Sequence, residues 1–163
     1  MAETREEKQQ LSGDIVQVVS FRLGGEEYGV DIAQVQEIIR MVEITHVPRA
    51  PHFMEGVINL RGQLIPIIDL RTRFGMPRIE ASKSSRIVVT EIGTKKVGIV
   101  VDSVSEVLNI PTENVEDAPE MVAGVGTEYI QGVGKLGDRL IIMLDLTMVI
   151  TSEEKQALET VEA

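Results

Sequence analysis

The chain has 163 residues, 43% of them hydrophobic and 26% charged, so as one unit it can bury roughly 70% of its unfolded surface, whereas each half alone would be marginal. Its net charge of −10 would repel a nucleic-acid backbone, and with no cysteine it has no disulfide, no thiolate chemistry and no cysteine-based zinc site. No apolar run approaches the ~18 residues of a membrane span and the first residues are charged and polar, so we predict a cytoplasmic protein without direct membrane insertion.

The first elements in chain order are a flexible tail over residues 1–14 and a hairpin of two strands, 16–23 and 27–30. From Asp31 the apolar positions follow a helical period, which predicts a short amphipathic helix or helical turn that presents Glu37 to solvent. Residues 41–47 then read as an extended strand, and the prolines at 48 and 51 predict a rigid turn.

The stretch 53–70 is the least ambiguous part of the chain. Val-, Ile- and Leu-rich runs flank Arg61-Gly62-Gln63, which is typical of two antiparallel strands joined by a short turn. Asp69 directly precedes residues 70–74 and is placed to cap a short helix there. The turn therefore puts one arginine beside an otherwise apolar ribbon.

The second half is predicted to follow the same order after a polar join over residues 78–85. We expect a hairpin from strands 86–92 and 97–101, a short helical element over 102–108, and a mobile surface loop over 111–128. A second central hairpin and a C-terminal helix over residues 151–163, capped by Ser152, complete the prediction.

The two halves are copies of one β unit of roughly 70 residues. Residues 55–70 align without a gap to 131–146 at an offset of 76, and the upstream segments match at an offset of 69. We predict two small β-barrels packed side by side, one over residues 15–81 and the other over 84–150, together forming one domain over 15–150.

The duplication helps to separate structural residues from functional ones. A residue that is present at the equivalent position of both copies is better explained by a structural role in the fold than by a function. Asp69 and Asp145 occupy equivalent strand ends, so we interpret them as helix caps and predict no catalytic residue. His46 and His52 have no recognised ligand spacing and no counterpart, and Gly124-Val125-Gly126 lacks the context of a phosphate loop. We therefore predict no metal and no cofactor.

For two charged residues, Arg61 and Glu37, the duplication does not decide between a functional role and a solvated surface position. Arg61 aligns with Gly137, so the fold does not require a guanidinium there, and a solvated turn arginine explains it equally well. Glu37 aligns with Glu106 and is equally well explained as a solvated carboxylate.

Several ordered motifs resemble the CheW family of chemotaxis coupling proteins. They are FRLGGEEYGVDI at 21–32 with VQEI at 35–38, GVINLRG at 56–62, PIIDLR at 66–71, VGIVVD at 97–102 with VSEVL at 104–108, and LGDR at 136–139. The similarity extends from about Val16 to Ile150. It implies a mostly β fold of two SH3-like five-stranded barrels and a non-enzymatic adaptor.

The resemblance also implies partners and contact residues. Family members link the cytoplasmic helical hairpin of chemoreceptors to the regulatory domain of the histidine kinase CheA, in arrays at the inner face of the membrane. Carried over by motif, the receptor contact maps to Gly56, Asn59, Arg61 and Gly62, and the kinase contact to Val35 and Glu37.

Two alternatives remain open at this point. One is a stand-alone module, similar to the CheA regulatory domain or another SH3-like protein-binding domain, that acts outside chemotaxis. The other is a small hydrolase that uses Asp69, His46 or His52, but the sequence shows no nucleophile with a base placed beside it.

Overall fold

The structure is a computed structural model that describes residues 14–50, 53–77, 79–117 and 129–149. Eleven strands are present in these ranges, with two short α-helices and two 3-10 turns. The strands are β1 (Ile15–Leu23), β2 (Glu26–Asp31), β3 (Val35–Arg40), β4 (Met54–Leu60), β5 (Gln63–Asp69), β6 (Arg86–Ile92), β7 (Lys95–Val101), β8 (Ser103–Pro111), β9 (Val115–Glu116), β10 (Ile130–Leu136) and β11 (Arg139–Leu144). The helices are α1 (Leu70–Arg73) and α2 (Leu146–Val149), and the 3-10 turns span Ile32–Gln34 and Thr112–Asn114.

The strands form two sheets, and the prediction of a mostly β chain with two SH3-like subdomains is confirmed. One sheet has the order β3-β6-β7-β5-β4 and is called the first barrel below. The other has the order β8-β1-β2-β11-β10-β9 and is called the second barrel; its sixth strand, β9, has two residues. The predicted tail over 1–14, apart from Asp14, and the predicted C-terminal helix over 151–163 lie outside the described residues.

The boundaries predicted from the repeat do not separate the barrels. Strands β1 and β2 of the first copy lie in the second barrel, and β6 and β7 of the second copy lie in the first barrel. The expectation that residues 15–81 and 84–150 each form one barrel is therefore wrong. The physical reason is that each hairpin pairs in parallel with a strand of the other copy, β2 with β11 and β7 with β5, at equivalent registers.

Two helical predictions are wrong over most of their length, and only Ile32–Gln34, just after Asp31, form a 3-10 turn. Residues 35–40 form β3, which pairs with β6, and residues 103–111 form β8, which pairs with β1. A bulge interrupts each pairing, at Val35/Glu37 in β3 and at the equivalent place in β8. One extra residue in a strand shifts its alternation, and this produced the helix-like spacing of apolar residues.

Two loop regions also differ from expectation. Of residues 41–47, predicted as a strand, only Thr45 makes a bridge, to Val57. The predicted loop over 111–128 begins with an ordered 3-10 turn and β9, which pairs with β10. Its residues 118–128 lie outside the described part of the chain.

The largest apolar cluster joins the two barrels. It contains Phe21 and Val30 of the second barrel together with Ile68, Val88 and Ile99 of the first. Two smaller clusters fill the individual barrels, one around Ile110 and Ile141 and one around Ile65 and Ile87. Because the shared cluster is the largest, each barrel depends on the other for much of its buried apolar surface.

An ion pair links the barrels at one edge. Arg71 of α1 donates two hydrogen bonds to Asp102, from Nε at 3.0 Å and from a terminal nitrogen at 2.7 Å. The same carboxylate accepts from the backbone N–H of Gly24, in the β1–β2 turn, at 2.9 Å. Asp102 lies between β7 and β8, where the chain passes from the first barrel to the second. One carboxylate therefore connects elements of both barrels.

Candidate protein-binding surface

The turn between β4 and β5 is a two-residue hairpin turn, since Leu60 pairs with Gln63. Arg61 and Gly62 both have positive φ angles, 51° and 86°, as the tightest hairpin turns require. The side-chain oxygen of Asn59 accepts a hydrogen bond from the Gly62 N–H at 2.8 Å. Asn59 and Gly62 therefore hold the turn in the shape that displays the Arg61 side chain.

Arg61 is ion-paired with Glu37 on β3. One guanidinium nitrogen donates to a Glu37 oxygen, and a second lies 3.4 Å from the other oxygen. The Arg61 side chain is 70% exposed and that of Glu37 is 33% exposed. The hydrogen bond from Arg61, supported by the charge of Lys96, holds the pKa of Glu37 below its usual value. The family motifs map these two residues to different partners, and the structure brings them into contact.

The second barrel has a similar arginine–glutamate ion pair, but its arginine comes from a different position in the repeat. Arg139 donates to Glu27 at 2.6 and 3.3 Å and lies 3.4 Å from Glu106, the counterpart of Glu37. Glu27 is buried and also accepts from the Ser20 hydroxyl, and the bonds from Arg139 lower its pKa. The sequence repeat did not reveal this arginine, because Arg139 aligns with Gln63, whereas Arg61 aligns with Gly137.

Exposed apolar side chains lie on the strands that carry these ion pairs. Ile38, next to Glu37, is 40% exposed, and Leu64, just after the turn, is 54% exposed. Their counterparts Val107 and Leu140 are 50% and 58% exposed. The sequence pattern placed Ile38 and Val107 in short helical elements and Leu64 and Leu140 in apolar strands, without marking any of them as exposed. The sequence did contain a signal for this exposed apolar surface. Both copies have an apolar residue at positions where the alternation of the strand directs the side chain outward.

The other two predicted contact residues occupy less open positions. Val35 is half-buried and packs against the apolar cluster that joins the barrels. Gly56 is buried, and a Cβ atom there would lie 2.4 Å from the Thr45 carbonyl oxygen and 2.7 Å from the Ile44 side chain. Gly56 thus allows the segment around Thr45 to approach β4.

The two strand-end aspartates are helix caps, as predicted. Asp69 accepts from the N–H of Arg71 at 2.9 Å, and Asp145 accepts from the N–H of Thr147 at 3.0 Å. His46 is among the described residues and His52 is not, and the described residues contain no group of three or more His, Asp or Glu side chains placed to hold a metal ion. Among the helices described, none is both long enough and apolar enough to span a membrane.

Comparison with known proteins identifies relatives over most of the chain. Residues 17–154 match the family model described as a CheW-like domain. The chain is 40% identical over 153 residues to the chemotaxis protein CheW of Klebsiella aerogenes, covering 93% of this chain and 92% of that protein. It is 36% identical to the CheW of Treponema pallidum, covering 87% of this chain and 86% of that protein. The crystal structure of the scaffolding protein TtCheW from Thermoanaerobacter tengcongensis superposes with a TM-score of 0.79 at 40% identity, covering 86% of this chain and 96% of that one.

Proposed function

Since the chain belongs to the CheW family and is a chemotaxis coupling adaptor, we propose that it joins the cytoplasmic hairpin of chemoreceptors to the regulatory domain of the kinase CheA. It would act at the inner face of the membrane as part of receptor arrays, and without catalysing a reaction. The alternative of an SH3-like module outside chemotaxis is not favoured, because the relatives that match along most of the chain are chemotaxis proteins.

The observation that carries this proposal is the surface around the Arg61–Glu37 pair. It combines an exposed ion pair with the exposed apolar side chains of Ile38 and Leu64. Apolar anchors supply binding energy in protein interfaces, while charges at their rim set register and partner choice. The aspartates that could suggest chemistry, Asp69 and Asp145, are engaged as caps, which supports a binding role rather than catalysis.

In this proposal the receptor contact consists of Asn59, Arg61 and Gly62, with Gly56 acting through the position of its strand. The kinase contact consists of Val35 and Glu37. Because Arg61 and Glu37 are ion-paired, a partner that engages one of them changes the surroundings of the other. The two contacts are then energetically coupled, and coupling between two binding sites is reciprocal. Such a link suits an adaptor that must report receptor state to a kinase.

Calorimetric titration of a receptor cytoplasmic fragment and of the kinase regulatory domain tests this assignment. We expect Arg61→Ala to weaken receptor binding by about tenfold or more while changing kinase binding less, because a charge-assisted contact is lost. Glu37→Lys should weaken kinase binding more than receptor binding, since it reverses the charge at the kinase contact, and its smaller effect on the receptor follows from the lost ion pair with Arg61. Lys135→Ala is the matched control, because it removes an equally superficial ion pair, with Glu116, from the second barrel. Equal losses for both partners in each variant would contradict the assignment of separate contacts.

A further inference from the structure

Two arginines face each other at the end of the β3–β6 pair. Arg40 lies directly opposite Arg86 in the antiparallel register. Side chains at directly opposite positions project from the same face of a sheet, where like charges destabilise the pairing. Both arginines line a cleft of about 440 Å³ with Lys83, Met41, Ser82 and Ser85. Three cationic side chains thus converge on one concavity of a chain whose net charge is −10.

No carboxylate of the described residues forms an ion pair with these three cations. The ion pairs seen among those residues include the ones made by Arg61, Arg71, Lys135 and Arg139. Arg86 donates from one terminal nitrogen to the carbonyl oxygens of Lys83 and Ser85, both at 2.8 Å, and these oxygens carry no net charge. The positive charge of the cleft is therefore open to a partner from outside the described chain.

The duplicated half shows that the fold does not need these cations. At the offset of 69, Arg40 corresponds to Asn109 and Arg86 to Gln17. Gln17 and Asn109 are also directly opposite each other, in the β1–β8 pair, and Gln17 donates a side-chain hydrogen bond to Asn109 at 2.9 Å. A neutral amide pair is enough to satisfy this position. The arginine pair therefore occurs in one barrel only, where the repulsion between the two like charges lowers the stability of the strand pairing.

The turn beside the arginines is held by its own serines. The Ser82 N–H donates to the Ser85 hydroxyl at 2.9 Å, and the Ser84 N–H donates to the Ser82 hydroxyl at 3.1 Å. Arg86 adds its two bonds to the carbonyl oxygens of the same turn. The backbone that carries Lys83 is therefore ordered before any ligand arrives, which lowers the entropic cost of binding.

We propose that this cleft binds a phosphate-bearing anion. Guanidinium groups match the oxygen geometry of phosphate, and a lysine adds a mobile point charge. The inference does not rest on the proposed adaptor function, because none of the residues that line the cleft is assigned to the receptor or kinase contact. A free phosphate compound and a phospholipid headgroup offer the same chemistry, so the test treats them separately.

The test measures the binding of pyrophosphate to the full chain. Binding is detected by calorimetric titration and by the rise in thermal unfolding temperature, with the ionic strength held constant by chloride. A parallel arm measures co-sedimentation with vesicles of anionic phospholipid and with zwitterionic vesicles. The double variant Arg40→Asn/Arg86→Gln reproduces the amide pair of the second barrel and is expected to fold. Lys135→Gln is the matched control, since it removes one exposed cation from a different surface.

We expect saturable pyrophosphate binding that the double variant weakens by about tenfold or more and the control retains. Binding to anionic vesicles alone, lost in the double variant, would also support the site and assign it to a headgroup. If the double variant fails to fold, Lys83→Gln replaces it, because Lys83 is an exposed turn residue. The proposal is overturned if neither ligand binds beyond the effect of chloride, or if the cleft variants bind as well as the control.

Discussion

The Asp102 carboxylate provides the sharpest test of how the two barrels are joined. It accepts three hydrogen bonds, two from Arg71 and one from the N–H of Gly24. Asp102→Ala removes both oxygens that accept these three bonds and leaves the Arg71 side chain, 12% exposed, without this carboxylate. We therefore expect a substantial loss of stability from a residue outside the apolar core.

The expected loss is about 2–3 kcal/mol in the free energy of unfolding. Removing one partner of a buried ion pair costs about 3–5 kcal/mol. The Asp102 side chain is 26% exposed, so solvent screening reduces that figure. For a domain of this size the change corresponds to a fall in Tm of about 5–10 °C.

Urea and thermal unfolding, followed by circular dichroism, would measure this change. Tyrosine fluorescence adds a local signal, because the chain has no tryptophan and its two tyrosines, Tyr28 and Tyr129, both pack against Phe74, with ring centroids 5.8 and 5.7 Å away. Glu116→Ala is the matched control, since the Lys135–Glu116 pair is more than half exposed on both sides and is worth about 0.5 kcal/mol or less. A loss for Asp102→Ala no larger than that of the control would refute the reasoning.

The same residue predicts a dependence on pH. The hydrogen bonds from Arg71, and secondarily the one from Gly24, lower the pKa of Asp102 in the folded protein. A carboxylate with a lowered folded pKa contributes stability that is fully present above its unfolded pKa, about 3.9, and is lost as pH falls through the folded value. The difference in the free energy of unfolding between the unmodified protein and Asp102→Ala should therefore be constant above about pH 5 and shrink toward lower pH. A difference that grows on acidification would show that another group is responsible.

Two further predictions concern packing and the exchange of strands. Gly56→Ala should lower stability by about 1–3 kcal/mol, because the new Cβ would overlap the Thr45 carbonyl oxygen; an unchanged urea midpoint would count against this close approach. Residues 84–163 expressed alone should not fold, because β6 and β7 lose their partners β3 and β5; a cooperative thermal transition in that fragment would disprove the dependence.

The sequence alone predicted the features that depend on neighbouring residues. The hairpin around Arg61 and Gly62 follows from two β-branched runs and a turn that accepts positive φ angles. The helix caps at Asp69 and Asp145 follow from one side chain bonding to a backbone N–H two residues later. The duplication was visible because both copies preserve these local patterns. The candidate site was predicted in part, since Arg61 and Glu37 were named but their contact was not.

Only the tertiary structure decided which strands pair beyond the local hairpins, that Arg139 matches the role of Arg61, and that Asp102 joins the barrels. Because the two copies repeat one pattern, the edge of β2 can pair with β5 of its own copy or with β11 of the other, and both choices offer the same backbone donors and acceptors. The conformation of β3 was also decided by a distant partner. Its bulge at Val35/Glu37 makes the spacing of its apolar residues resemble that of a helix, and only its pairing with β6 identifies it as a strand. Local sequence fixes the conformation of a short segment, whereas the choice among equivalent distant partners is made by the packing of the whole chain.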